Sequence, residues 1–104
     1  MSDQWFNAGP ESALSLNDVR RCDVGDATYA VVKTGDGRCI VIDGVCTHGK
    51  AHLAEGFVDG DVIECPKHNG RFDIITGEAV ASPARVALRT YPCRVDNGCI
   101  EVQL

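Results

Sequence analysis

The sequence predicts an all-β protein, a small antiparallel sandwich or barrel, on three observations. β-Branched and aromatic residues gather in short runs such as Thr28 to Lys33 and Arg38 to Ile42. Turn dipeptides punctuate those runs, at Asp36-Gly37, Asp59-Gly60 and Asn97-Gly98. No stretch of useful length carries the 3.6-residue apolar period of a helix. With 104 residues, 44% of them hydrophobic and 24% charged, the chain has the size and composition of one globular domain spanning residues 1–104.

Taken in order, Met1 to Pro10 reads as a short lead-in, and Ser15 to Val19 as at most one helical turn capped by Ser15. Thr28 to Lys33 and Arg38 to Ile42 form a hairpin about Gly35-Asp36-Gly37. Phe57-Val58 and Val62-Ile63-Glu64 form a second pair about Asp59-Gly60-Asp61. Arg71 to Ile75 reads as a strand, Thr76-Gly77-Glu78 as its turn, and Ala81 to Ala84 as an irregular loop. A strand from Leu88 to Val95 and another from Cys99 to Leu104 close the chain about Asn97-Gly98, and Trp5 is expected to pack against the sandwich.

The formal charge of -5 argues against nucleic acid, since phosphate binding needs a concentrated positive surface. The first residues lack the basic start and apolar stretch of a secretory signal, and no apolar run approaches membrane-spanning length. A soluble, cytoplasmic monomer with no membrane contact is expected. Of the six cysteines, Cys22, Cys39, Cys93 and Cys99 are scattered without CxxC spacing and read as buried or half-buried free thiols, with a Cys93 to Cys99 disulfide as the alternative.

The other two cysteines belong to the stretch that organises the chain. Cys46-Thr47-His48 is followed, sixteen residues later, by Cys65-Pro66-Lys67-His68, so each of two loops offers one thiolate and one imidazole, and each follows a strand. Two Cys and two His suit either tetrahedral zinc or an iron–sulfur centre. Zinc fingers usually pair like with like, cysteines in one turn and histidines on a helix. Loops that each mix the two types suit two irons, one taking both thiolates and the other both imidazoles.

This pattern, Cys-x-His followed by Cys-x-x-His, resembles the Rieske [2Fe–2S] motif, and Gly70-Arg71-Phe72-Asp73, Thr76-Gly77 and the loop with Pro83 resemble the rest of the cluster-binding half. The resemblance implies one [2Fe–2S] cluster held by Cys46, His48, Cys65 and His68, in a cluster-binding part of about residues 44–84 formed by two loops, with Pro83 covering the cluster. It implies a ferredoxin without catalysis of its own. Such a carrier takes electrons from a flavoprotein NAD(P)H-linked reductase and passes them to the terminal oxygenase of an aromatic-ring-hydroxylating dioxygenase. The alternatives are a small Rieske subunit of a larger reductase, such as nitrite reductase, and a zinc-stabilised interaction module.

Two ferric ions, two sulfides and two thiolates sum to a neutral centre when both imidazoles are neutral, whereas four thiolates would leave a double negative charge. Adding an electron to the neutral centre costs less, so Rieske potentials lie higher than those of plant-type ferredoxins. Compared with Rieske subunits of quinol-oxidising complexes, this chain has Ala51 and Lys67 where those form a disulfide, and Gly70 and Phe72 where those donate hydroxyl hydrogen bonds from Ser and Tyr. Fewer donors predict a potential near the low end of the Rieske range, about -150 mV.

Other residues near the motif have a functional and an ordinary reading. His52 takes no ligand role in the resemblance. Lys50, Lys67, Arg71 and Arg85 would either dock acidic patches on partners or form a solvated face. Gly49 and Gly70 either admit backbone N–H groups close to the sulfides or serve as turn glycines.

Overall fold

The computed structural model describes residues 4–47, 51–67, 69–82 and 84–104. Its strands are β1 (Trp5–Pro10), β2 (Asp18–Val24), β3 (Ala27–Lys33), β4 (Cys39–Asp43), β5 (Phe57–Asp59), β6 (Val62–Glu64), β7 (Arg71–Asp73), β8 (Ala79–Ala81), β9 (Thr90–Tyr91), β10 (Cys93–Asp96) and β11 (Cys99–Gln103). They form three antiparallel sheets in the orders β1-β11-β10, β2-β3-β4-β9 and β5-β6-β7-β8. Short 3-10 turns at Glu11–Ala13 and Leu53–Glu55 are the helical elements among the described residues. None is long and apolar enough to cross a membrane.

The middle sheet is buried on both faces because its sequence is apolar on both. Successive residues of a strand point to opposite sides. Ala30 and Val32 of β3, with Ile42 of β4, therefore join one apolar cluster with Cys46, Leu53, Ile63, Cys65 and Phe72. Val31 and Val41 join a second with Ala8, Leu14, Ile100 and Val102. Each fully buried Val or Ile contributes about 1.5–3 kcal/mol. The first cluster joins the middle sheet to the β5-β6-β7-β8 unit, and the second joins it to the β1-β11-β10 sheet.

The β3–β4 hairpin turns as its sequence suggests. Thr34 is buried, and its hydroxyl donates to Asp36 while accepting the Arg38 N–H at 3.1 Å, so a polar residue is satisfied inside the turn. The β5–β6 turn is fastened to it: Gly35 N–H donates to the Gly60 carbonyl at 3.2 Å, and Gly60 N–H to Asn17 Oδ1 at 2.9 Å.

Four local expectations are corrected. Residues up to Pro10 are no mere lead-in, because β1 pairs with β11, Trp5 opposite Gln103. Trp5 is half-buried there, with the Arg94 guanidinium 4.1 Å from its ring centroid. Ser15 caps no helix; its N–H donates to Asp18 Oδ2 at 3.2 Å, and Asp18 opens β2. Ala81 belongs to a short strand, β8, instead of a loop. The strand expected from Leu88 to Val95 is shorter, starts at Thr90 and breaks at Pro92, which has no N–H to give to a ladder.

Candidate metal centre

Both ligand loops begin where a strand ends, β4 at Asp43 and β6 at Glu64. Cys46 N–H donates to the Ala51 carbonyl at 3.0 Å and Cys65 N–H to the Gly70 carbonyl at 2.7 Å. Each loop is thus closed by the same kind of bond, from its cysteine to the residue five positions on. Gly70 serves the second loop through its carbonyl, and Asn69 beside it has φ 61°, a left-handed conformation that Asn tolerates better than most residues.

The two thiols share one buried cluster. Cys46 is 2% exposed and Cys65 0%, and both lie in the apolar cluster with Leu53, Ile63, Phe72 and Ile74. The other two predicted ligands, His48 and His68, lie outside the described residues, as do Gly49, Lys50 and Pro83. All six cysteines are free thiols, and Cys22, Cys39, Cys93 and Cys99 are half-buried as expected, with no Cys93 to Cys99 disulfide.

The donor set fits an iron–sulfur centre. A thiolate is the form that binds metal, and an isolated one is costly in apolar surroundings. Two thiols brought into one apolar cluster are stabilised as thiolates by a soft cation that neutralises them, as cluster iron does.

Contacts that local sequence reasoning missed hold the first loop. Asp43 accepts the Tyr91 hydroxyl at 2.6 Å and the Arg89 N–H at 2.9 Å. Thr47 Oγ1 donates to the Val86 carbonyl at 2.6 Å. His52 lies just past the loop, its Nδ1 accepting the Ala54 N–H at 3.0 Å and its Nε2 2.8 Å from Thr28 Oγ1. Since Thr28 spends its proton on Asp23 Oδ1, the ring donates through Nε2–H, which fixes its tautomer. Burial of the ring, aided by the Arg21 charge, holds the imidazole below its ordinary pKa against the opposing pull of Asp23 and Glu55. Gly44 makes room for this arrangement, since a Cβ there would lie 2.7 Å from His52 Nε2 and 2.9 Å from the Thr28 carbonyl. Of these residues only His52 stood out beforehand, and it acts as a brace for the loop.

Two buried thiols, at the heads of two equally closed loops on an antiparallel scaffold, are the donors that a thiolate-bound metal centre needs. Residues 4–92 match the Rieske [2Fe-2S] domain, and the chain belongs to that family. It is 36% identical over 109 residues to the ferredoxin component of the 2,4-dinitrotoluene dioxygenase system of Burkholderia sp. (strain RASC), covering 100% of this chain and 99% of that one. Among solved structures, it matches the Sphingomonas yanoikuyae B1 ferredoxin with a TM-score of 0.90 and 32% identity, covering 97% of this chain and 99% of that one. A chain from the complex of reduced oxygenase and oxidised ferredoxin in carbazole 1,9a-dioxygenase matches with a TM-score of 0.88 and 38% identity, over 97% and 94% of the two chains.

The cofactor is therefore one Rieske-type [2Fe–2S] cluster, not a lone zinc ion, and the chain's work is electron transfer rather than catalysis. When bound, the cluster supplies a one-electron couple. The chain's own residues bury the thiolates, exclude water from them and fix both loops.

Proposed function

We propose that the chain carries single electrons from a flavin-dependent NAD(P)H reductase to a terminal Rieske non-haem iron oxygenase that hydroxylates an aromatic ring. Cys46 and Cys65 hold one iron, and His48 and His68 hold the other. The chain works as one cytoplasmic domain, a monomer with its cluster-binding part at about residues 44–84, and electrons leave through the imidazole edges at the loop tips.

The observation that carries this reading is the burial of Cys46 and Cys65 in one apolar cluster, each at the head of a loop closed five residues on. The relatives add weight as ferredoxin components of dioxygenase systems, for dinitrotoluene in one and naphthalene in another.

Iron and acid-labile sulfide per chain, with an EPR spectrum after dithionite reduction, test the cluster. Two irons, two sulfides and a rhombic signal are expected in the wild type, with loss of all three in Cys46→Ser, Cys65→Ser, His48→Ala and His68→Ala. A full signal in any of these variants would remove that residue from the ligand set. Steady-state reduction by a flavoprotein ferredoxin reductase and NADH tests the donor side; no reduction by any such enzyme would sink that part.

A further inference from the structure

The three segments around the buried thiols, residues 44–54, 65–70 and 79–89, hold four of the chain's ten Lys and Arg residues and none of its fifteen Asp and Glu residues. The remainder sets six cations against all fifteen carboxylates. Asp43 lies at the border of these segments, its carboxylate accepting the Arg89 N–H at 2.9 Å and the Tyr91 hydroxyl at 2.6 Å, and the fold brings the segments themselves together. Thr47 is hydrogen-bonded to Val86, and Ala84 and Leu88 pack in the apolar cluster that contains both thiols, so the third segment borders the ligand loops.

Lys67, Arg85 and Arg89 are exposed there, and the sequence adds Lys50. Among the described residues, Arg85 and Arg89 take part in no ion pair, whereas Arg71 next to the second loop is paired with Glu64 at 2.9 Å. Cations elsewhere have carboxylate partners: Arg21 with Asp23, Lys33 with Glu11, Arg38 with Asp36 and Asp61, and Arg94 with Glu101. Arg20 gives its guanidinium to the Ala8 carbonyl at 2.7 Å. Val45 and Val86, 45% and 63% exposed, supply apolar surface at the same end.

We infer that the cluster end is a positively charged docking face with apolar patches, and that it fits an acidic protein surface surrounding the partner's own redox group. This rests on the electron-carrier reading. At an ionic strength of 0.1 M charges act over about 10 Å, so a partner feels the face it meets more than the -5 of the whole chain. The acidic remainder repels the same partner, which turns the molecule cluster end first.

Small redox probes of known charge separate the local face from the net charge. One electron passes from the reduced protein to the anion of cobalt(III) with EDTA, giving the cobalt(II) complex, and the cation hexaamminecobalt(III) is reduced in the same way. Oxidation by the anion should slow by about threefold or more as ionic strength rises from about 0.05 to 0.5 M, because salt screens attraction to the cluster end. The double variant Arg85→Glu/Arg89→Glu should reverse that slope. Arg38→Glu/Arg94→Glu, with the same change in net charge on residues outside the three segments, should keep it. Oxidation by the anion that quickens with salt in the wild type, or equal behaviour of the two variants, would overturn the inference.

A second readout needs no electron transfer. At low salt, fluorescence anisotropy of a labelled decaglutamate peptide should report binding to the wild type and to the Arg38/Arg94 variant, and none to the Arg85/Arg89 variant. Failure of the wild type to bind the peptide would overturn the docking face. A chain with no reducible cluster would instead overturn the carrier reading, and the peptide would still decide the charge of the face.

Discussion

The Tyr91 hydroxyl donates to Asp43 Oδ1 at 2.6 Å, joining β9 to the last residue of β4, where the chain enters the first ligand loop. Burial, and then the carboxylate beside it, push the phenol well above its ordinary pKa, so it remains a donor at any working pH. Tyr91→Phe keeps the edge-to-face contact with Tyr29, whose ring centroid lies 5.1 Å away, and removes only the donor. The expected loss is about 1–2 kcal/mol, a fall of several degrees in the thermal midpoint. Thermal denaturation followed by cluster absorbance checks it; an unchanged midpoint would show that Asp43 finds equal compensation in water.

His52 predicts an acid-side loss of stability. Its pKa is depressed in the folded chain, so the unfolded chain binds more protons as pH falls below about 6.5. Stability from the neutral ring is complete above that pH and declines as pH falls toward the lower folded value. The facing groups are Arg21 and Asp23 on β2, Thr28 on β3 and Glu55 in the 3-10 turn. Protonated Nδ1 no longer accepts the Ala54 N–H. His52→Gln should flatten the slope of stability as pH falls below about 6.5; equal slopes in variant and wild type count against the assignment.

Cys93 should be a slow nucleophile. Burial, with Cys39 nearby, pushes its thiol up to about 11. Against the ordinary thiol value of 9.0, its thiolate fraction at neutral pH is lower by roughly 10²-fold, and alkylation should slow, by less than that because a more basic thiolate is the better nucleophile. Iodoacetamide labelling of native and denatured protein, read by peptide mass, should show that difference and a native rate that climbs until about pH 11. Equal rates in the two states would refute the shift.

Phe72 gives a handle on the potential. It is fully buried in the cluster that contains both cysteines, opposite Ile63 across β6 and β7. By the resemblance to the quinol-oxidising subunits, Phe72→Tyr adds a hydroxyl at the position from which theirs donates to the cluster. A donor favouring the reduced state by about 1 kcal/mol raises a one-electron potential by roughly 40 mV. Redox titration should place the wild type near the low end of the Rieske range and the variant above it; a wild-type value above zero contradicts the low-potential reading.

Much of this was legible because its determinants are local. Asp36-Gly37 and Asn97-Gly98 marked true hairpins, and Cys46 and Cys65 announced themselves by spacing and proved buried. The missed strands lack a strand's usual look. β1 ends in Gly9-Pro10 and pairs only with β11, so a proline at its end forfeits little. β2 carries Arg20, Arg21 and Asp23 because it is an edge strand, where charge discourages pairing with another chain. The bracing of the ligand loop was illegible for another reason: its partners, Thr28 with His52, Thr47 with Val86 and Asp43 with Tyr91, lie 24, 39 and 48 residues apart.

The pairing of Trp5 with Gln103 has a practical consequence. The start of β1 and the finish of β11 lie side by side at one end of the β1-β11-β10 sheet, whose core contains Val102 and Ile100 and neither Cys46 nor Cys65. A tether attached beyond Gln103, whether to an electrode or to a fused reductase, would anchor the molecule by that end and present the opposite core's redox centre to whatever approaches.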